Sequence, residues 1–515
     1  MTIRNLATRR TIAAVFLLWG AANAAIPARA EQRFEVRYAD AEQRTYTGRV
    51  YLFCGQGPRE PRSGPNWFDP DPMFAIDVVD WKPGEILTFS ASTPGLMAFP
   101  KPLDELDLRG WKVQAVARFN PWERKVGTGE RNGFSDVVSI PADGSDQSVQ
   151  LTIQHRVPSP EFVETNDVRL LRLQSNLLSQ FHQRDVSIQG GVRLPPSYHQ
   201  QPDRRYPVIF EIPGFGGTHA GVRAWSPQRQ RSEDGVEFIV VVLDPSCPLG
   251  HHVFADSANN GPWGTALVQE FIPELDRQFR TDARPAARFL SGHSSGGWSS
   301  LWLQVTHPDD FGGTWSTAPD PVDFHDFQQI DLYAGQNMYV DPQGARRPLA
   351  RLGGRVAAWY DQFCQMEDLM GYGGQLHSFE AVFSPADAMR PIRIGTINAP
   401  PAPSPQPKLL WNRDTGVIDP QVAAAWKKYD IRHQLVSRWP ELGPRLQGKL
   451  TVIMGEQDTF YLEGATRRLK VALEELGSDA RIELVPDRDH FDLLTPELRQ
   501  RIINEMAASY RKNLP

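Results

Sequence analysis

The chain has no excess of positive charge. Its 515 residues include 55 lysines and arginines and 61 aspartates and glutamates, which gives a formal charge of −6. Residues 1–30 contain four arginines and no acidic residue, so without them the balance is 51 minus 61, or −10. Nucleic acids and anionic membranes attract proteins mainly through lysine and arginine, so this balance argues against both as main partners.

Cysteine is almost absent. Cys54, Cys247 and Cys364 are the three in the chain, and three are far too few for a disulfide scaffold. In an oxidising compartment they allow at most one intramolecular bridge and leave one thiol over. The sequence does not determine which two cysteines would form that bridge.

The N-terminus also lacks an apolar run long enough to span a bilayer stably. A basic start is followed by a short apolar run at residues 12–19 and by small residues that end in Ala28-Arg29-Ala30. This order is typical of an export signal peptide that is cleaved after residue 30. The Thr8-Arg9-Arg10 sequence also resembles a twin-arginine signal, so the export route stays open. We expect a periplasmic or secreted protein with no stable membrane insertion; an N-terminal anchor is the alternative.

Residues 31–157 predict a separate, smaller all-β domain. Short segments rich in strand-forming residues are divided by glycine, proline and aspartate clusters, with no helical periodicity between them. This pattern is typical of a sandwich of two packed sheets. The segments are residues 34–38, 47–53, 86–90, 112–118 and 149–154.

Residues 158–515 predict a mostly parallel sheet with helices on both faces, because strand-like and helical patterns alternate. The apolar run at 238–243 fits a strand buried on both faces, and residues 170–181 read as another strand. Apolar residues at every fourth position over 267–279 predict a helix that Pro273 bends. The alternation fails between about 320 and 448, which predicts a large lid-like insertion.

One stretch carries a motif of nucleophilic catalysis. Gly292-His293-Ser294-Ser295-Gly296 matches G-x-S-x-G, with an apolar run before it and a helical pattern after it. Strand, tight turn and helix are the context in which this motif becomes a nucleophile elbow. Ser294 is therefore the predicted nucleophile, and it needs a histidine base oriented by a carboxylate.

The acid and the base follow in the order that α/β-hydrolases use. Asp458 comes just after the strand-like run 450–454, and His490 comes just after the next one, 481–485. We predict Asp458 as the triad acid and His490 as the base. The alternatives are Glu456 for the acid and His252, His293 and His377 for the base.

Backbone amides of Phe215 and Ser295 are the predicted oxyanion hole. Ser295 follows the nucleophile, and Phe215 lies in the glycine-rich loop 213–217 that follows a predicted strand. His252 and Asp320 are candidate substrate-binding side chains, because both lie in loops that follow predicted strands. This chemistry needs no metal or organic cofactor, and the chain has no H-E-x-x-H motif.

From about residue 175 to its end, the chain resembles the putative esterase family typified by esterase D. That family also includes S-formylglutathione hydrolases, feruloyl esterases, enterochelin esterases and mycolyl transferases. The resemblance implies an α/β-hydrolase fold with Ser294, Asp458 and His490 as its triad. Pro213 departs from the histidine of many members, and the insertion is unusually large. The matching motifs are LPPSY at 194–198, YPV at 206–208, PGFGG at 213–217, EFIPE at 270–274, GHSSGG at 292–297 and HPDDFG at 307–312.

The sequence thus predicts an exported serine hydrolase that cleaves carboxylic esters through an acyl-enzyme. Its substrate is a small-molecule or polysaccharide-linked ester. One alternative is acyl transfer to a sugar or lipid hydroxyl by the same triad. Another is a catalytically inert protein that binds polysaccharide. The oligomeric state is not predicted.

Overall fold

A computed structural model describes residues 32–41, 43–142, 148–391, 396–397 and 405–514. The predicted export signal, residues 1–30, lies outside this part of the chain. Within it, no helix combines the length and the apolar character that a membrane crossing requires. The three cysteines are buried and free, so none of them forms a disulfide.

The N-terminal region is a sheet that folds over on itself. Its strands join in the order β4-β1-β9-β7-β6-β2-β3-β5, with β8 on β6. β1 and β3 are five strand spacings apart, or about 24 Å in a flat sheet. Yet the rings of Tyr38 in β1 and Trp81 in β3 are 4.6 Å apart, so the two ends of the sheet face each other across one core. The strands are β1 (Phe34–Tyr38), β2 (Tyr46–Gly55), β3 (Met73–Trp81), β4 (Leu87–Phe89), β5 (Met97–Phe99), β6 (Lys112–Ala117), β7 (Gly133–Ser135), β8 (Val138–Ser139) and β9 (Val149–Arg156).

The chain then enters a second sheet. A π-helical turn at Leu267–Phe271 precedes Pro273, where a bent helix was predicted; a proline has no amide hydrogen to donate. β14 with β15 and β16 with β17 form two small separate sheets beside the second sheet. The strands of this part of the chain are β10 (Val168–Gln174), β11 (Ser187–Arg193), β12 (Val208–Ile212), β13 (Ile239–Leu243), β14 (Ser246–Cys247), β15 (Gly250–His251), β16 (Asp256–Ser257), β17 (Gly261–Pro262), β18 (Arg288–His293) and β19 (Gly313–Thr317). The helices are α1 (Asn176–His182), α2 (Trp263–Ala266), α3 (Ile272–Gln278) and α4 (Ser295–Thr306).

The insertion after β19 is a cap with a dense core. Trp426 is fully buried, and its ring packs against Phe383 and Phe327. Its strands are β20 (Pro348–Leu352), β21 (Arg355–Trp359), β22 (Ala386–Pro391), β23 (Thr396–Ile397) and β24 (Pro405–Pro407), and its helices are α5 (Tyr360–Met370), α6 (Gln375–Phe383), α7 (Pro420–Trp426) and α8 (Ile431–Leu446). β23 pairs with β2, so the cap adds a strand to the N-terminal sheet.

β2 connects the N-terminal sheet to the cap because alternate side chains of a strand point to opposite faces. Leu52 faces the core of the N-terminal region, whereas Tyr51 and Phe53 join the apolar core of the cap. The Tyr51 hydroxyl donates to the carbonyl of Met370 over 2.8 Å. Arg49 donates to the carbonyls of Asp368 and Leu369 over 2.8 and 2.9 Å.

The chain ends by completing the second sheet. β25 (Leu450–Gly455), α9 (Glu463–Glu475), β26 (Arg481–Val485) and α10 (Pro496–Lys512) close the chain. The sheet order is β10-β11-β13-β12-β18-β19-β25-β26. β10, β11 and β13 pair antiparallel, and all pairs from β13–β12 onward are parallel. This is the α/β-hydrolase fold, and it brings the loops after β12, β18, β19, β25 and β26 to one edge.

One predicted strand is wrong in its second half. The segment 170–181 leaves the sheet after Gln174, and α1 begins at Asn176. Ser175 caps this helix by accepting a hydrogen bond from the amide of Leu178 over 3.1 Å. Glu270, far along the chain, accepts the amides of Asn176 and Leu177, so a distant carboxylate favours helix here.

Candidate active site

Ser294 lies at a strained corner between β18 and α4. Its φ of 61° and ψ of −127° are rare for a residue with a side chain, and such strain clusters at functional sites. Two close backbone approaches make the corner possible. A Cβ on Gly292 would lie 2.2 Å from the carbonyl oxygen of Gly296, and one on Gly296 would lie 1.9 Å from that of Ile212. Glycine is therefore required at both motif positions.

His490 and Asp458 form a buried hydrogen-bonded pair. His490 Nδ1 lies 2.7 Å from Asp458 Oδ2, and the two side chains are 4% and 0% exposed. Burial lowers the pKa of His490, but the charge of Asp458 and this hydrogen bond outweigh it, so the pKa is raised above 6.5. The second oxygen of Asp458 accepts the amide of Phe460 over 2.8 Å. Arg351 in β20 donates to the Asp458 carbonyl over 3.0 Å, so the cap helps to position Asp458.

The alternative acid lies at the surface. Glu456 pairs with Arg467 over 2.9 Å, and both side chains are partly exposed. Glu456 therefore does not share the buried position of Asp458 beside His490.

The other histidines occupy different positions. His293 Nε2 lies 3.0 Å from the carbonyl oxygen of His490, which can only accept, so that nitrogen carries the proton. Burial lowers the pKa of His293 to about 3, so His293 is neutral and supports the backbone of His490. His377 binds Asp368 over 2.8 Å in the cap. His252 is fully buried, and its ring stacks on Trp263 at 3.7 Å.

Two backbone segments carry the amides of the predicted oxyanion hole. Ser295 is the first residue of α4, so its amide has no acceptor within the helix. The loop after β12 makes a turn in which the amide of Gly217 donates to the carbonyl of Gly214 over 3.0 Å. A Cβ on Gly214 would lie 3.8 Å from Ser294 Oγ, so this loop, which contains Phe215, lies directly against Ser294.

Ser294 and His490 line one cavity of about 260 Å³. A cavity of about 480 Å³ lies elsewhere, between β12 and α10, and none of the predicted triad residues lines it. The smaller cavity is therefore the candidate active site. Its lining also includes the aromatic residues Trp67, Phe215, Phe363, Phe379, Phe460 and Phe491, and the polar residues Asp320, Gln328 and Gln375.

The N-terminal region supplies part of this cavity. Trp67, in the loop between β2 and β3, packs its ring against Phe215 at 5.7 Å, Phe363 at 5.2 Å and Phe460 at 6.3 Å. Phe68 packs against Phe460 at 6.2 Å. Sequence reasoning missed these residues. Phe460 lies two residues after Asp458, and this closeness could have identified it as a cavity residue. No local sequence signal identifies Trp67.

The buried carboxylate of Glu367 in the cap stabilises a second wall of the cavity. Glu367 in α5 accepts the amides of Leu376 over 2.9 Å and His377 over 3.3 Å, and it also accepts the amide of Gln375. These are the first amides of α6, which have no acceptor within the helix. Because α6 carries Gln375, Leu376 and Phe379 into the cavity, Glu367 fixes the wall that faces Ser294.

Asp320 lies in the cavity, whereas the other predicted substrate-binding residue, His252, is not among the described residues that line it. The Asp320 side chain is buried, and Ser295 Oγ donates to its Oδ2 over 2.6 Å. Gln375 Nε2 donates to Ser295 Oγ over 3.3 Å. Burial raises the pKa of Asp320 to about 6, although hydrogen bonds from Ser295 and Gln375 and the nearby His490 oppose the shift.

Comparison with known proteins places the chain among hydrolases. The model of the family described as putative esterase matches residues 182–482, more than half of the chain. No curated protein matches the chain. Similar solved structures include a ferulic acid esterase (12% identity, TM-score 0.38, covering 67% of this chain and 99% of that one). Another is an S-formylglutathione hydrolase of Agrobacterium tumefaciens (15% identity, TM-score 0.36, covering 68% of this chain and 95% of that one). A third is the fluorophosphonate-binding serine hydrolase F of Staphylococcus aureus (11% identity, TM-score 0.37, covering 67% of this chain and 98% of that one). The family assignment rests on the family model alone.

Proposed function

The chain belongs to the putative esterase family and is a carboxylic ester hydrolase, and on that premise we propose that Ser294, His490 and Asp458 are its catalytic triad. The observation that carries this proposal is the buried His490–Asp458 hydrogen bond of 2.7 Å, made by a histidine that lines the same cavity as the strained Ser294.

The proposed reaction proceeds through an acyl-enzyme. His490 Nε2 takes the proton of Ser294 as Oγ attacks the ester carbonyl, and Asp458 fixes the tautomer and stabilises the imidazolium. Amides of Phe215 and Ser295 bind the oxyanion; such donors are worth about 3 kcal/mol each in the transition state. His490 then protonates the departing alcohol, and water, activated by the same histidine, releases the acid.

Labelling with a fluorophosphonate probe tests the proposal. The wild-type protein is expected to become labelled, and Ser294→Ala is expected to lose labelling because it removes the attacking oxygen. Mass spectrometry of the labelled peptide assigns the adduct to Ser294 or to its neighbour Ser295. A folded wild-type protein that stays unlabelled would favour the inert polysaccharide-binding alternative.

An acyl-enzyme can react with water or with a hydroxyl, so product analysis with sugar or lipid acceptors separates hydrolysis from acyl transfer. Export through residues 1–30 remains a prediction from the sequence, and N-terminal sequencing of the mature protein checks it.

A further inference from the structure

We propose that the cavity beside Ser294 binds a compact cationic ammonium group, so that preferred esters carry a positively charged amine or trimethylammonium near the scissile bond. This inference deepens the proposed function and rests on it, because the cavity selects substrates only if Ser294 attacks them.

The first observation is a set of aromatic rings from separate parts of the chain. They are Trp67, Phe215, Phe363, Phe379, Phe460 and Phe491, and all line the cavity. The faces of such rings attract cations, most strongly when water is excluded. The Phe215 ring already binds a cation of the protein itself, because the guanidinium of Arg124 lies 4.6 Å from the centre of that ring. A bound cation would therefore rely on the other rings.

The second observation is a buried carboxylate among these rings. Asp320 is 6% exposed and is the one acidic residue among the described residues that line the cavity, where no lysine or arginine occurs. His293 and His490 are the other titratable groups in the lining; His293 is neutral and His490 is needed as a base. Asp320 therefore has no permanent positive charge beside it in the cavity, and an ammonium group would supply one.

Neutral polyhydroxylated groups fit the cavity less well. Each buried hydroxyl needs a hydrogen-bond partner, but the two side-chain amides in the lining already bond to protein groups. Gln375 donates to Ser295 Oγ, and Gln328 donates to the carbonyl of Phe460 and accepts from the hydroxyl of Tyr360. At about 260 Å³, the cavity is also smaller than ordinary ligand pockets of roughly 300–1,000 Å³. One compact group with few hydroxyls fits best.

Pairs of esters that differ only in charge test this inference. A choline ester and the 3,3-dimethylbutyl ester of the same acid place the cation on the alcohol side. A trimethylammonioacetyl ester and the 3,3-dimethylbutanoyl ester of the same alcohol place it on the acyl side. Each kcat/KM is divided by the uncatalysed hydroxide rate, which removes differences in intrinsic reactivity. We expect the cationic member of at least one pair to be preferred by about tenfold or more.

The Asp320→Asn variant assigns the preference to the carboxylate. Asparagine keeps an oxygen that accepts from Ser295 Oγ but removes the charge, so the cationic-to-neutral ratio is expected to fall by about fivefold or more. Asp489→Asn is the control, since it removes a charge beside His490 but outside the cavity lining and should leave the ratio unchanged. A ratio near one in both wild-type pairs overturns the inference, and so does a ratio that Asp320→Asn does not change.

A second measurement separates failure of this inference from failure of the proposed function. Benzyltrimethylammonium should protect Ser294 from the fluorophosphonate probe, whereas its neutral isostere neopentylbenzene should protect it much less. Labelling without selective protection refutes the cation site and leaves the esterase proposal standing. Absence of labelling refutes the triad, and calorimetric titration of the same two probes then decides on the cation site by itself.

Discussion

Replacing Trp67 by alanine should impair the candidate active site, because Trp67 is the one described residue of the N-terminal region that lines the cavity. The indole packs against Phe215, Phe363 and Phe460. Each aromatic pair contributes about 0.5–1.5 kcal/mol beyond the area it buries, so three pairs set an upper bound near 4.5 kcal/mol. Part of this energy stabilises the fold, and part keeps the wall closed against water.

We expect the substitution to cost about 1–3 kcal/mol of transition-state stabilisation, or roughly 5- to 150-fold in kcat/KM. The assay is ester hydrolysis with the melting temperature measured alongside. Trp122→Ala is the matched control, because Trp122 is in the same region, is 41% exposed and packs against Arg184 instead of the cavity. Trp67→Leu keeps apolar volume and should recover part of the loss if the variant is folded.

The reasoning would be refuted if Trp67→Ala melted like the wild type and hydrolysed esters as fast as Trp122→Ala. That outcome would mean that the loop between β2 and β3 packs against the cavity without shaping it. A loss of activity accompanied by a large fall in melting temperature, with no recovery in Trp67→Leu, would assign Trp67 to stability alone.

Two further predictions concern charge. His490 must be neutral to accept a proton, and its pKa is raised above 6.5 because Asp458 outweighs burial, so kcat/KM should rise with pH through a midpoint above 6.5. Asp458→Asn removes the negative charge that raises the pKa of His490 but leaves the histidine buried, so the midpoint of the pH profile should move to lower pH. The same variant should lower kcat on the order of 10³–10⁴-fold. A flat wild-type profile between pH 6 and 8 would exclude His490 as the base. Glu367→Ala leaves the first amides of α6 without their acceptor and should cost about 1–3 kcal/mol in urea unfolding, whereas Glu367→Gln keeps an oxygen and should cost less. The exposed Glu475→Ala is the control, and equal losses in it and in Glu367→Ala would contradict the capping role.

The candidate triad could be proposed from the sequence because each of its residues lies beside a local signal. Ser294, Asp458 and His490 follow strands β18, β25 and β26 of one sheet, and parallel strands end at one edge of a sheet. A loop that follows a strand is therefore placed by the strand before it. The elbow adds its own signal, since Gly292 and Gly296 are required by close backbone approach.

The substrate side of the cavity could not be predicted in the same way. Trp67 reaches Phe215 across 148 positions only because two regions far apart in the sequence pack together, and no periodicity encodes such a contact. The missed helix α1 has a related cause. Its leucines fit a strand as well as a helix, and the carboxylate that favours the helix belongs to Glu270, far along the chain.

The β2–α5 contact makes the N-terminal sheet part of the catalytic unit. The last carbonyls of a helix lack partners within it, and in α5 those of Asp368, Leu369 and Met370 are satisfied by Arg49 and Tyr51. Because α5 also carries Phe363 to the cavity, a chain that began at residue 158 would lose the end of that helix and one wall of the site. We therefore expect a fragment that encodes the hydrolase part alone to be less stable and less active than the full chain.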